Sequence, residues 1–362
     1  MEKMKAFICT KYGPPEVLKL KEVDKPIPKD NEVLIKIHAT AVTASDCIIR
    51  GFNMPGDPKF PKKQIMGLMM RLYVGFTRPR KPILGLVFSG EIESHGKDIK
   101  QFKAGDKVYS MTGYSFGGYA EYKCMTEKES KNGCLAIKPN NMSHQEAASV
   151  SYGGILALHF MRKMNIQSGQ KVLIYGASGA IGSVAVQIAK SLGAEVTGVC
   201  GSSNAELVKS LGAYKVIDYT DDGSISKLEV YDYILDAAGK NKNSNLKIAS
   251  KKALKENGKY ISVDDGNLEL RSEYLIQLAE LCETGKINAV TDTIYPLEQI
   301  VEAHRYVDQK HKKGNVVITI YYSDKKNNEC TARCKMHEKD FYTKPFLAIK
   351  NSHHNIHRKT ES

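Results

Sequence analysis

No two cysteines in this 362-residue chain are separated by two residues, and its eight cysteines (Cys9, Cys47, Cys124, Cys134, Cys200, Cys282, Cys330, Cys334) are scattered. That excludes a disulfide framework and a four-cysteine zinc lobe, and leaves free thiols in a reducing compartment as the expectation. No stretch is long and apolar enough to span a bilayer. Met1-Glu2-Lys3-Met4-Lys5 runs straight into a strand-like segment without an apolar signal core, so secretion is not expected and the chain is placed in the cytoplasm. Positive charge is abundant, with a formal net charge of +13. Such a surface can attract nucleic acid, acidic lipid or anionic ligands. No aromatic-interleaved nucleic-acid motif accompanies it, and a basic soluble enzyme is the favoured reading. Hydrophobic residues make up 42% of the chain, and its length suits two modest domains sharing a cleft.

The first third reads as β-rich. Glu32–Ala39 alternates apolar and polar residues, as a half-buried strand does, and Gly, Pro and Asp clusters punctuate the region, which suggests a small β-barrel-like domain. Between Phe52 and Pro82 lies an insert with no acid after Asp57. It carries Lys59, Lys62, Lys63, Arg71, Arg78, Arg80 and Lys81 among bulky apolar residues. A helical lid over an apolar cleft is favoured there over contact with a membrane surface. From about Ser168 the period changes. Strands Lys171–Tyr175, Glu195–Cys200, Lys215–Asp218, Tyr233–Asp236 and Lys259–Val263 alternate with helical patterns, the mark of a parallel sheet with right-handed crossovers. Leu297–Val307 reads as a helix and Val316–Ile320 as a closing strand. Beyond Tyr321 the chain is polar, basic and histidine-rich, an appended disordered tail. Within it, Cys330, Cys334 and His337 match no compact metal finger, and no metal site is expected.

The strongest local signal is Gly176-Ala177-Ser178-Gly179-Ala180-Ile181-Gly182, which follows a strand and opens a helix. Glycines in that context let the backbone approach a pyrophosphate, and the helix start offers free N–H groups and a positive dipole end. An NAD site usually has an acid at the end of the second strand. Here that position reads Val199-Cys200-Gly201-Ser202-Ser203-Asn204, with no acid before Glu206. A carboxylate would repel a 2′-phosphate, so NADPH is the expected cofactor and NADH the weaker one. No arginine stands at the turn to clamp the phosphate.

A set of short segments resembles the quinone oxidoreductase (zeta-crystallin-like) branch of the medium-chain dehydrogenase/reductase superfamily. These are Tyr12-Gly13-Pro14-Pro15-Glu16-Val17-Leu18, Ala41–Asp46, Ile83–Gly90, Phe102–Val108, Gly117–Tyr122, Gln145–Ala148, Gly212–Tyr219 and Gly314–Val317, covering roughly residues 4–320. The resemblance implies an α/β chain: a GroES-like β-rich catalytic domain (1–140, with the 52–82 insert), a Rossmann doubly wound parallel sheet (141–295), a return to the first domain (296–320) and the tail (321–362). It also implies that Tyr219 lies near the adenosine 2′-phosphate beside Ser202 and Ser203, and that Val263, Gly314, Asn315 and Val316 approach the nicotinamide half. Zinc-containing relatives carry a cysteine where Thr43 stands and a G-H-E where Gly85-Leu86-Val87 stands. Leu86 cannot ligate zinc, so a zinc-free enzyme is expected. The family threonine near the nicotinamide is replaced by Leu156.

The chemistry this implies is hydride transfer to a quinone or an α,β-unsaturated carbonyl, with hydrogen-bond donors meeting the developing charge. Thr43 is the candidate hydroxyl and Asp46 a residue that orders the cleft backbone. Tyr152 and Tyr114 serve as acids or stacking surfaces, or simply as packed aromatics. A homodimer is expected. The competing classes are a basic RNA-binding or structural, crystallin-like protein with NADPH as ligand, and a reductase held at a membrane surface.

Overall fold

The computed structural model describes residues 1–52, 71–72, 74–239, 244–265 and 268–322. Of the insert read over 52–82, residues 53–70 and 73 lie outside the described residues, as do residues 323–362 of the tail, and the lid, membrane and tail readings rest largely on them. No helix among the described residues is long and apolar enough to cross a membrane.

β1 (Lys3–Cys9) and β2 (Leu18–Asp24) form an antiparallel pair. β3 (Glu32–Val42) leads through Thr43 into α1 (Ala44–Gly51). Then come β4 (Val87–His95), β5 (Lys107–Met111), β6 (Tyr122–Thr126) and β7 (Cys134–Ile137). β3 is more buried than its alternation suggests: Val33, Leu34, Ile35 and Ile37 all lie in the core. The cause is α2 (His144–Arg162), which packs across β3, β4 and β5 and covers a face that would otherwise meet water.

α2 has no polar stripe, because it is buried on nearly all sides, and so it carries little helical periodicity. Its start is nonetheless written locally. Ser143 accepts from the Glu146 N–H at 3.2 Å, and the Glu146 carboxylate accepts from the Ser143 N–H at 2.8 Å. This reciprocal cap satisfies two N–H groups that the helix leaves unpaired.

After α2 the chain alternates as expected: β8 (Lys171–Tyr175), α3 (Ala180–Ser191), β9 (Glu195–Cys200), α4 (Ala205–Ser210), β10 (Lys215–Asp218), β11 (Tyr231–Asp236), α5 (Asn245–Lys252), β12 (Leu254–Ser262) and α6 (Ser272–Glu283). The five strands are parallel in the order β10-β9-β8-β11-β12. One face packs with α2, α3 and α6 around Val184, Ile188 and Leu278, and the other with Leu246 of α5, so the sheet is doubly wound. The order reverses between β8 and β11, which opens a crevice at their carboxyl ends where dinucleotides bind in such sheets.

β13 (Thr291–Pro296), α7 (Ile300–Asp308) and β14 (Asn315–Thr319) follow. β14 pairs antiparallel with β3, giving a sheet ordered β13-β14-β3-β4-β5-β7 with β6 also on β3. The last strand thus returns to the sheet that holds β3, and its lead-in residue Gly314 bridges to Gly179, the residue before α3.

Candidate active site

The glycine turn is built by backbone constraint. Gly176 adopts φ +82°, which favours glycine. The N–H groups of Gly176 and Ala177 both donate to the Val199 carbonyl, at 2.9 and 3.0 Å, tying the turn to β9. A Cβ on Gly182 would lie 2.2 Å from the Gly176 carbonyl oxygen, so only glycine lets α3 start this close to the turn. Gly179 caps α3 with no side chain, which leaves the helix N–H groups facing outward. The Asn204 side-chain amide donates to Ser178 Oγ at 3.2 Å, while its own oxygen is buried without a partner. An uncapped helix start, a close turn and an orphaned acceptor suit a dinucleotide, whose pyrophosphate accepts and whose ribose donates.

The other segments expected at the cofactor converge here to different degrees. Ser202 and Ser203 are exposed beside Gly201, and the Tyr219 ring lies 3.7 Å from where a Gly201 Cβ would stand. Gly314 (φ +53°) donates to the Ser178 carbonyl at 2.8 Å, and a Cβ there would meet the Val290 carbonyl at 2.1 Å. Asn315 and Val316 are buried behind it, with the Asn315 side chain donating to Val290 at 3.3 Å. They hold Gly314 in place. The Val263 N–H donates to the Asp236 carbonyl at 3.0 Å, at the mouth of the β11–β12 end.

A buried ion pair, unmarked in the sequence, organises that mouth. Lys247 Nζ lies 2.6 Å from Asp236 Oδ2, both side chains being almost fully buried. Asp236 Oδ1 accepts from the Ala238 and Gly239 N–H groups at 3.2 and 3.1 Å, while Lys247 donates to the Gly239 carbonyl at 2.6 Å. The pair pins both polar sides of the turn that faces Gly176, where an added Cβ would touch Ala238 at 3.2 Å.

On the opposite wall, the Thr43 hydroxyl is occupied. It donates to Asp46 Oδ2 at 2.6 Å and accepts from the Asp46 N–H at 3.1 Å, while the Thr43 N–H donates to the same carboxylate at 3.0 Å. Asp46 Oδ1 also accepts from the Gly85 N–H at 3.2 Å. Thr43 and Asp46 therefore cap α1 and anchor the 85–87 segment. Leu86 is buried beside them, and no group of three metal-ligating side chains occurs among the described residues.

The hydroxyl on α1 that meets another element is Ser45, 2.7 Å from the Tyr152 hydroxyl of α2. Tyr152 is held at this place by its neighbour, since a Cβ on Gly153 would lie 2.0 Å from the Ala180 carbonyl at the start of α3. Tyr152 thus stands between the glycine turn and α1. Burial raises its pKa, Ser45 lowers it, and the Asp46 and Asp264 carboxylates raise it further, so it stays protonated near neutrality. Tyr114 sits more than half exposed on the 113–115 turn.

Burial pushes the Asp46 carboxyl up to about 6, against hydrogen bonds from Thr43 and Gly85 that pull it down. An acid raised on folding binds more protons folded than unfolded, so its contribution to stability falls as pH rises from about 4 to about 6. Urea unfolding at pH 4.5 and 7.5 should show Asp46→Asn with a flatter pH dependence than the parent. Equal slopes would place the titration elsewhere.

Residues 29–138 match the alcohol dehydrogenase GroES-like domain, and residues 180–280 and 266–318 match two zinc-binding dehydrogenase profiles. The chloroplast envelope quinone oxidoreductase homolog of Arabidopsis thaliana is 30% identical over 331 residues, covering 82% of this chain and 92% of that protein. The chain belongs to the medium-chain dehydrogenase/reductase superfamily. The mouse mitochondrial NAD(P)H oxidoreductase RTN4IP1 is 29% identical over 370 residues, covering 88% of this chain and 89% of the relative. The quinone oxidoreductase structure from Coxiella burnetii superposes with a TM-score of 0.74 at 27% identity, over 88% of this chain and all of that one. In this dehydrogenase/reductase, Ser45, Lys247 and Asp236 went unnoticed in the sequence because their partners lie on other segments. For Ser45 the available signal was its position two residues after Thr43, at the start of the same helix.

Proposed function

We propose that this chain, an oxidoreductase using a nicotinamide dinucleotide, passes hydride from NADPH to a quinone or an α,β-unsaturated carbonyl and needs no zinc. The Ser45–Tyr152 hydroxyl pair, set between α1 and the open start of α3, carries this reading. The bound reduced nicotinamide supplies the hydride. The turn at Gly176–Gly182 with Gly314 behind it orients the cofactor. Tyr152 and Ser45 share one hydrogen bond, which leaves a second O–H to point at the acceptor oxygen, where it stabilises enolate charge and delivers the proton. Thr43 and Asp46 fix α1 so that Ser45 faces the cleft.

The absence of zinc is supported by Leu86, which has no donor atom, and by Thr43, whose hydroxyl is committed to Asp46. Without a Lewis acid, an electron-poor acceptor is the natural substrate, since it already draws hydride. NADPH is supported by Ser202, Ser203 and Tyr219 at a β9 end that carries no acid. The quinone oxidoreductase names of the Arabidopsis and Coxiella relatives support the acceptor class. A cytoplasmic homodimer completes the reading, and the six described cysteines, all free thiols, suit a reducing compartment.

NADPH and NADH oxidation followed against quinones, 2-alkenals and 2-alkenones, with and without a metal chelator, tests it. We expect turnover with at least one acceptor, faster with NADPH and unchanged by the chelator. No turnover together with no nucleotide binding would remove the enzyme reading, and loss of activity on chelation would remove the zinc-free part.

A further inference from the structure

The end of β9 carries no acid, but the neighbouring strand brings one to the same place. β10 pairs with β9 so that Asp218 stands opposite Cys200, two residues before Ser202. The Tyr219 N–H donates to the Cys200 carbonyl at 3.2 Å, which holds the two strand ends together. Asp218 Oδ1 accepts from the Thr220 N–H at 2.9 Å and from the Thr220 hydroxyl at 2.8 Å. Burial pushes the carboxyl up, but hydrogen bonds from Thr220 and Ser202 outweigh it and hold the group below the ordinary carboxylate range, so it is ionised at neutral pH. No lysine or arginine among the described residues pairs with it. Lys209 and Lys227 pair instead with Glu206, at 2.9 Å, and with Asp221, at 2.5 Å.

We propose that Asp218 sets the cofactor preference. Its carboxylate faces the pocket formed by Ser202, Ser203 and Tyr219. There it accepts from the free ribose hydroxyls of NADH and opposes the 2′-phosphate of NADPH. The protein then uses both nucleotides, with the preference for NADPH held down by one acid on the third strand of the sheet unit. This rests on the nicotinamide reading of the glycine turn but not on the identity of the acceptor.

The test therefore uses binding of oxidised nucleotides, which needs no acceptor. The chain has no tryptophan, so calorimetry is the direct method. Asp218→Asn keeps an oxygen for the Thr220 N–H and removes the charge. The ratio of NADP+ to NAD+ affinity should rise about tenfold, the scale of one unit charge at 5–7 Å in a partly solvated site. Asp218→Glu, which keeps the charge, should stay within about threefold of the parent ratio on the same grounds. A ratio unchanged in Asp218→Asn overturns the proposal. Should that variant fail to fold, the unmodified protein decides: a preference for NADP+ beyond about a hundredfold leaves no opposing carboxylate and overturns it, and a smaller preference supports it. If the protein binds neither nucleotide, the nicotinamide reading falls and this proposal with it. If it binds both but reduces no acceptor, only the acceptor reading falls.

Discussion

Replacing Tyr152 by phenylalanine is expected to lower the turnover number for an enone by about a hundredfold, the scale seen when a positioned acid is lost. KM for NADPH should move by less than about threefold, because the hydroxyl acts on charge that develops after binding. The ring itself is retained, so its packing between Gly153 and α1 survives and the melting temperature should hold. Ser45→Ala is the informative companion. Ser45 lowers the Tyr152 pKa, while burial and the Asp46 and Asp264 carboxylates raise it. Without Ser45 the alkaline limb of the pH–rate profile should move to higher pH, with a smaller fall in turnover of about tenfold. Steady-state rates between pH 8 and about 11.5 for the parent and the two variants, a range that takes in the ordinary tyrosine pKa and the region above it, decide the matter. Parent-like enone turnover in Tyr152→Phe would show that the proton comes from elsewhere.

Gly182→Ala should damage binding and folding together. Its Cβ would meet the Gly176 carbonyl oxygen at 2.2 Å and the Ala177 Cα at 2.8 Å, and both neighbours are backbone that cannot rotate away. The turn and the start of α3 must separate, at a cost of about 1–3 kcal/mol for overpacking of this kind. NADPH affinity should fall by more than about tenfold, because the helix N–H groups leave the turn they serve. Gly179→Ala separates the two effects. A Cβ there meets only the Gly176 oxygen, at 3.4 Å, and the residue has ordinary backbone angles, so stability should barely change. Its methyl would stand at the open helix start, and affinity should still fall. Thermal melts with calorimetric titration of both variants provide the check. Undiminished nucleotide binding in both would move the cofactor away from this turn.

The parts of the fold that were legible are those whose signal is local. Lys171–Tyr175, Glu195–Cys200 and Lys215–Asp218 occur as strands with the bounds their apolar runs suggested. α3 follows the turn because Ile181, Val184, Ala185 and Ile188 recur at helical spacing toward one core. α2 escaped the same reading because it is surrounded. A helix buried on every side loses the contrast between faces, and only its Ser143–Glu146 cap announces it. β3 shows the reverse case, since Leu34, on the face opposite Val33, Ile35 and Ile37, is buried as well and the strand has apolar residues buried on both faces.

The candidate site divides along the same line. The sequence offers Thr43 as the hydroxyl that meets developing enolate charge. In the structure its proton goes to Asp46, three residues on, and the cap uses up the group. Ser45 and Tyr152 meet across 107 residues of chain, and Lys247 finds Asp236 only through the packing of α5 under the sheet.

Three features are legible without the fold: a glycine turn joins a buried strand to a helix, Leu86 offers no metal a ligand, and the end of the second strand carries no acid. Each of these is a statement about neighbouring residues, and backbone geometry with side-chain chemistry settles it within a few positions. Three others exist only in the folded chain: the meeting of Ser45 with Tyr152, the ion pair that pins the turn after β11, and the placing of Asp218 on β10 beside the acid-free end of β9. Those depend on strand register and on helix packing, which bring together groups that no local pattern relates.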